Sequence, residues 1–188
     1  KQADALMAFF LLDETQITTI LDDLGYTPPD NLLRENFYYY INRTSHGSTL
    51  SRVVHAYLAH ILGDSNLSWQ LYTEALKSDY IDIQGGTTRE GIHAGVMAGT
   101  VFFALRAFAG INFDEEILTV NPSLPTTWRT MRFSLGFKGS RYHFVVTPES
   151  VEVKADGKTE RKIITYGKEI SIQPEQWHQE RNTNNKEG

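Results

Sequence analysis

The hydrophobic period of this chain changes once, at Gly110, and that change restricts the folds open to it. Before Gly110, apolar residues recur at helical spacing; after it, they alternate or run in short β-branched and aromatic stretches between glycine-containing turns. Helices gathered in one half and strands in the other predict an α+β molecule and exclude the alternating βα units of a nucleotide-binding sheet. No glycine-rich phosphate loop followed by lysine is present, and the Gly85–Gly86 pair does not make one.

The opening segment KQADALMAFFLL places Ala3, Leu6, Met7, Phe10 and Leu11 on one helical stripe, which Phe9 and Leu12 widen until little of the helix suits water. The chain starts at Lys1 inside this pattern, so a preceding part of a larger protein, or another chain, is expected to cover the helix. A second helix is expected over residues 15–24, stopped by Gly25 and the Pro28–Pro29 pair. Residues 32–41, with four aromatics in succession, read as helix or as buried irregular chain. Leu50, Val53, Val54, Tyr57, Leu58, Ile61 and Leu62 share a face of a helix ending at Gly63. Ser65 is expected to cap a helix over residues 67–77. Residues 92–108 are apolar nearly all round, as a helix within a larger array would be.

In the other half, EEILTVNPSLP predicts one short strand. MRFSLGF, SRYHFVVTP, SVEVKA, RKIITY and KEISIQP predict a mostly antiparallel sheet belonging to a small β-sandwich, with KGSR and ADGKTE as hairpin turns. HQERNTNNKEG is polar and aperiodic and is expected to fray. The expected division is a helical portion over residues 1–112, a β-domain over 113–178 and a polar tail over 179–188.

Composition narrows the function. The formal charge of −5 and pI near 5.7 oppose a nucleic-acid module, and no Lys/Arg cluster is interleaved with aromatics. Without cysteine there are no disulfides and no thiolate metal ligands, which suits a reducing compartment. No run of eighteen apolar residues and no charged leader is present, so a cytoplasmic protein without a membrane partner is expected.

Two helix entrances carry the chemistry. In TSHGSTL, His46, Gly47, Ser48 and Thr49 stand before a helix whose first-turn N–H groups lack carbonyl partners. Gly47 lets N–H groups converge, and the imidazole and hydroxyls can donate to an oxygen-rich anion. In TTREGIHAG, Thr87 and Glu90 have the form of a capping box, and His93 stands in the first turns of the next helix. Ordinary capping accounts for each entrance alone, and His93 could equally be a buried ring bonded to a carbonyl. His55 and His60 lack metal-ligand spacing and read as structural or surface residues. Tyr57 and Trp69 read as core before they read as sugar platforms, as do Tyr142, Phe144 and Trp177 in the β half.

Four motifs in order resemble the C-terminal part of glycoside hydrolase family 65: Lys1–Gln2–Ala3–Asp4; His46–Gly47–Ser48–Thr49–Leu50–Ser51; Thr88–Arg89–Glu90–Gly91–Ile92–His93 with Met97–Ala98–Gly99–Thr100; and Asn121–Pro122–Ser123–Leu124–Pro125. The resemblance covers residues 1 to about 148. It implies the last helices of a barrel of six helical hairpins, an (α/α)6 barrel, followed by the family's small C-terminal β-domain. The family holds maltose, trehalose and kojibiose phosphorylases and a minority of hydrolases. By resemblance, Lys1 and Gln2 face the sugar beside the bond being broken. His46, Gly47, Ser48, Thr49 and His93 surround inorganic phosphate, which is the co-substrate, and no other cofactor or metal is implied. The expected partners are a disaccharide, phosphate, and the remainder of the enzyme or a second copy. The Glu that acts as general acid in the family falls upstream of Lys1. A hydrolase would need a base as well, for which Asp79, Asp82 and Glu90 are the nearby candidates. A non-catalytic carbohydrate-binding or association module is the reading from another class.

Overall fold

The computed structural model describes residues 3–45, 49–81, 91–113 and 116–183. The chain separates into two compact units, Lys1–Phe103 and Ala104–Gly188.

In the first unit a 3-10 turn, Asp4–Leu6, leads into α1 (Met7–Leu11), α2 (Glu14–Asp23), α3 (Leu32–Ile41), α4 (Leu50–Ile61), α5 (Ser65–Lys77) and α6 (Ala94–Phe103). The expected first helix is therefore short. Leu12 turns extended (φ −116°, ψ 147°), because Asp13 and Gln16 close a capping box that starts α2. The aromatic segment 32–41 is helical. Asp64, not Ser65, caps α5: Gly63 takes φ +81° to end α4, and the Asp64 carboxylate then accepts from the Leu67 N–H at 3.0 Å.

Leu6, Leu33, Phe37, Val54, Leu58 and Ala59 form one buried cluster of this unit. Tyr72 stacks on Phe103 with centroids 4.7 Å apart, and Tyr57 meets Phe103 and Phe10 edge-on, so Tyr57 serves helix packing. α6 lies close against α4 at Gly99, where a Cβ would stand 3.3 Å from Val53 Cγ1. The expected helix over 92–108 starts at Ala94 and changes at its end. Ala104–Phe108 is a π turn, with Ala109 N–H donating to the Ala104 carbonyl at 3.0 Å.

The second unit carries β1 (Ile111–Asn112), β2 (Leu118–Val120), β3 (Met131–Phe137), β4 (Ser140–Val146), β5 (Ser150–Ala155), β6 (Arg161–Thr165), β7 (Lys168–Ile172) and β8 (His178–Arg181). They form two four-stranded sheets, in the orders β1-β2-β6-β7 and β3-β4-β5-β8. Neighbours pair antiparallel except β2 with β6, which run parallel. Pleat alternation puts Tyr142, Phe144 and Val146 of β4 and Val151 and Val153 of β5 into one core with Leu118, Val120, Ile163 and Ile172 of the other sheet. At the β3–β4 turn Lys138 and Gly139 both have positive φ, as a two-residue hairpin requires.

Three expectations change. ADGKTE is not a hairpin: both edges of β5 are already paired, with β4 and β8, so the chain crosses to the other sheet. The polar tail does not begin at 179, because residues 178–181 form β8, whose exposed polar side chains suit an edge strand. The β unit begins before residue 113. Ala109 and Leu105 pack on its core and Phe108 meets Trp128 edge-on at 5.2 Å.

Candidate functional site

The close contact between Gly99 and Val53 lies near the start of both helices, since α4 begins at Leu50 and α6 at Ala94. At 1.5 Å rise per residue, each entrance is within about two turns of that contact. Thr49 stands at the mouth of α4, 3% exposed, with helical φ −60° and no capping bond from its side chain. His93 directly precedes Ala94 at the mouth of α6. Lys1, Gln2, His46, Gly47 and Ser48 lie outside the described residues, as do Asp82 and Glu90.

His93 is held by Asp79. Its backbone N–H donates to Asp79 Oδ2 at 2.7 Å and its ring Nδ1 bonds Asp79 Oδ1 at 2.6 Å. The Asp79 side chain is 10% exposed and the imidazole 29%. The hydrogen bond from the ring holds the Asp79 carboxyl below the ordinary carboxylate range, the backbone N–H and the ring's charge add to this, and burial opposes it. An ionised carboxylate only accepts, so Nδ1 carries a proton and Nε2 is the nitrogen whose state changes with protonation.

Asp79 is itself well fixed. It follows α5 directly, where Ser78 is fully buried with Oγ donating to the Ala75 carbonyl at 2.7 Å. Tyr80 and Ile81 N–H groups close on the Lys77 carbonyl at 2.9 and 2.7 Å.

Behind the α4 entrance lies a residue whose burial was not legible. His55 is fully buried, with Nδ1 at 2.7 Å from the Ser51 carbonyl and Nε2 at 3.4 Å from Thr44 Oγ1. Burial keeps its pKa below the ordinary imidazole value despite the Ser51 carbonyl. It ties α4 to the residue two positions before His46. Arg52, nearly buried, sends Nε to Glu74 Oε2 at 3.0 Å, and Gln70 holds the other carboxylate oxygen at 3.1 Å. His55 and Arg52 both lie off the apolar face that helical spacing marks on this helix, so neither their burial nor the carboxylate that answers the cation was legible in the sequence.

Among the described residues no group of three or more His, Asp or Glu converges as metal ligands would. No helix among them is long and apolar enough to cross a membrane.

Comparison with known proteins gives the context. Residues 1–102 match the model of the glycosyl hydrolase family 65 central catalytic domain, and residues 111–172 match that of the family's C-terminal domain. The chain is 40% identical over 146 residues to a trehalose 6-phosphate phosphorylase of Lactococcus lactis, covering 78% of this chain and 19% of that protein. It is 33% identical over 174 residues to a kojibiose phosphorylase of Caldanaerobacter subterraneus, covering 92% of this chain and 21% of the relative. In fold it resembles a solved "putative kojibiose phosphorylase from human microbiome", at TM-score 0.74 and 24% identity, over 97% of this chain and 25% of that one. The chain thus spans about a fifth of the length of these relatives. Two family models in their proper order, over a helical unit followed by a β unit, establish that the chain belongs to glycosyl hydrolase family 65.

Proposed function

We propose that this chain is the phosphate-side part of an inverting phosphorylase that cleaves an α-glucoside with inorganic phosphate, giving β-glucose 1-phosphate and a sugar. The observation that carries this reading is the His93–Asp79 pair at the mouth of α6, close to the contact with the mouth of α4. A carboxylate-backed imidazole at a helix entrance suits an anion with several oxygens. Relatives named as phosphorylases of trehalose 6-phosphate and kojibiose support the reaction class.

In this reading the bound phosphate attacks the anomeric carbon from the face opposite the departing sugar, so no protein base is needed. Its oxygens are held by His93 and by the HGST segment, His46, Gly47, Ser48 and Thr49, while Lys1 and Gln2 face the sugar. The general acid that protonates the departing oxygen comes from outside these residues. Hydrolysis is less well supported. It requires a carboxylate to activate water, and Asp79 already spends both oxygens on His93.

The helical unit also has the surface of a piece of a larger array. Leu11, Val101 and Phe102 are 66%, 62% and 40% exposed. The remainder of the barrel is the partner proposed for that face, and the division into a barrel portion and a C-terminal β-domain follows the same reading.

The test is product analysis with the full polypeptide that carries this sequence. Release of β-glucose 1-phosphate in proportion to phosphate is expected, whereas phosphate-independent free glucose sinks the reading. On this reading, in which the acid is supplied from outside these residues, the 188-residue chain alone is expected to show no phosphorolysis of maltose, trehalose or kojibiose.

A further inference from the structure

Asp79 does more than cap a helix. Capping α6 needs one acceptor for an early N–H, and Oδ2 provides it to His93 N–H at 2.7 Å. The second oxygen goes to the ring at 2.6 Å, a bond the helix does not require. Two bonds from one carboxylate to the backbone and the ring of the same residue fix the side-chain torsions and the tautomer together. The carboxylate is anchored in turn by the closed turn after α5.

We infer that Asp79 is the positioning residue of the phosphate site, holding His93 with Nδ1 protonated and Nε2 directed as the donor to inorganic phosphate. This rests on the reading of His93 as a phosphate ligand. A negative charge at the entrance would by itself repel phosphate. With the ring protonated, Asp79 and His93 together carry no net charge, and in that state Nε2–H is an ionised donor. Ring and carboxylate therefore work as one unit, joined by the 2.6 Å bond that holds Nδ1.

Asp79→Asn separates this role from capping. Asn keeps an oxygen for the His93 N–H, but its amide nitrogen can only donate to the ring. In the neutral state the His93 ring is then expected to change from the Nδ1–H to the Nε2–H tautomer, read by nitrogen-15 NMR of the ring. In the full polypeptide, KM for inorganic phosphate should rise about tenfold, equivalent to about 1.4 kcal/mol, as a charge-assisted donor becomes a neutral one. kcat at saturating phosphate should stay within about twofold, the pattern of lost ground-state binding. Asp79→Glu, which restores an acceptor, should retain the Nδ1–H tautomer and recover most of the phosphate affinity. A thermal melt identifies any variant that has lost its fold, and Asp79→Glu then carries the test through its tautomer and its phosphate KM.

An unchanged or lowered phosphate KM in Asp79→Asn, or an unchanged tautomer, overturns the positioning role. His93→Ala tests the reading beneath it. If that variant leaves phosphate KM unchanged, the assignment of His93 fails and the role of Asp79 falls with it. If His93→Ala raises KM and Asp79→Asn does not, only the inference about Asp79 fails.

Discussion

Both units bury an apolar core, but among the described residues only the helical unit also encloses an imidazole and a guanidinium, those of His55 and Arg52. In the β unit Leu118, Val120, Val146, Val151, Val153, Ile163 and Ile172 are fully buried, and among its described residues Trp177 is the one large apolar side chain left exposed. The helical unit encloses His55, Arg52, Ser51, Ser68 and Thr100, while Leu11, Leu24, Ile92 and Val101 are more than half exposed. Two sheets each need only one apolar face, and pressing those faces together satisfies both. A layer of helices apolar on both sides needs another layer. The β unit leaves little apolar surface outside its core, whereas the helical unit holds Arg52 and His55 inside and offers apolar surface outside, as part of a site-bearing array would.

The largest expected effect tests that contrast directly. Phe144, 1% exposed and stacked on Phe133 at 5.0 Å, anchors the sandwich. Phe144→Ala should cost about 3–5 kcal/mol in urea unfolding of the chain. Val101→Ser should cost no more than about 0.5 kcal/mol and should reduce self-association seen by light scattering. A comparable loss from both would break the comparison, because it would mean that Val101 is packed.

Glycine sharpens the same contrast at smaller scale. Gly110 has φ +62°, and a Cβ there would fall 1.8 Å from the Asn121 carbonyl oxygen, whose residue donates its N–H to the Gly110 carbonyl at 2.9 Å. Backbone meets backbone there, so Gly110→Ala should cost about 2–4 kcal/mol in the same unfolding measurement. At Gly99 the obstacle is the Val53 side chain at 3.3 Å, which can shift, and alanine gains about 1 kcal/mol of helix propensity. Gly99→Ala should therefore stay within about 1 kcal/mol of wild type. A Gly99 variant as damaged as the Gly110 variant would place the tighter packing in the helical unit instead.

The period change at Gly110 showed the α+β order because amphipathic spacing is a local property of the chain. Strand partners are not local. ADGKTE has the composition of a hairpin, yet nothing in it tells that β5 already pairs on both sides. His178–Arg181 looked like a fraying end because an edge strand exposes polar side chains and takes its order from β5. His93 stood out in the sequence as a His at a helix entrance, while Asp79 was weighed only as a hydrolytic base. The fourteen-residue separation crosses from the end of one helix to the start of the next, and that closure is tertiary. His55 and Arg52 were legible as positions on a helix, and not by their partners, for the same reason.

The smallest effect concerns charge. On the β unit, His143 Nε2 bonds Asp156 Oδ1 at 2.8 Å while Nδ1 meets Ser134 Oγ at 2.8 Å, and Lys154 bridges Asp156 and Glu175 at 3.3 and 3.1 Å. The His143 bond first, and Lys154 after it, hold the Asp156 carboxyl below its ordinary value; the Gly157 N–H first, then Lys154, does so for Glu175. A carboxyl whose pKa is depressed by folding stabilises the fold above its unfolded value, about 4, and loses that contribution as pH falls through the lower folded value. The wild-type chain should therefore be more stable than Asp156→Asn at pH 6, and the gap should close as pH falls from about 4 to about 2. Because these groups are partly exposed, the gap should be small and reduced by salt. Urea midpoints of both proteins at several pH values measure it. A gap that stayed constant through that range would assign the effect to the backbone turn in which Asp156 N–H donates to the Arg141 carbonyl at 2.8 Å, rather than to the carboxylate's charge. The sandwich would then owe its independence to apolar closure alone, and carboxylate–imidazole pairing would matter only in the helical unit, at Asp79 and His93.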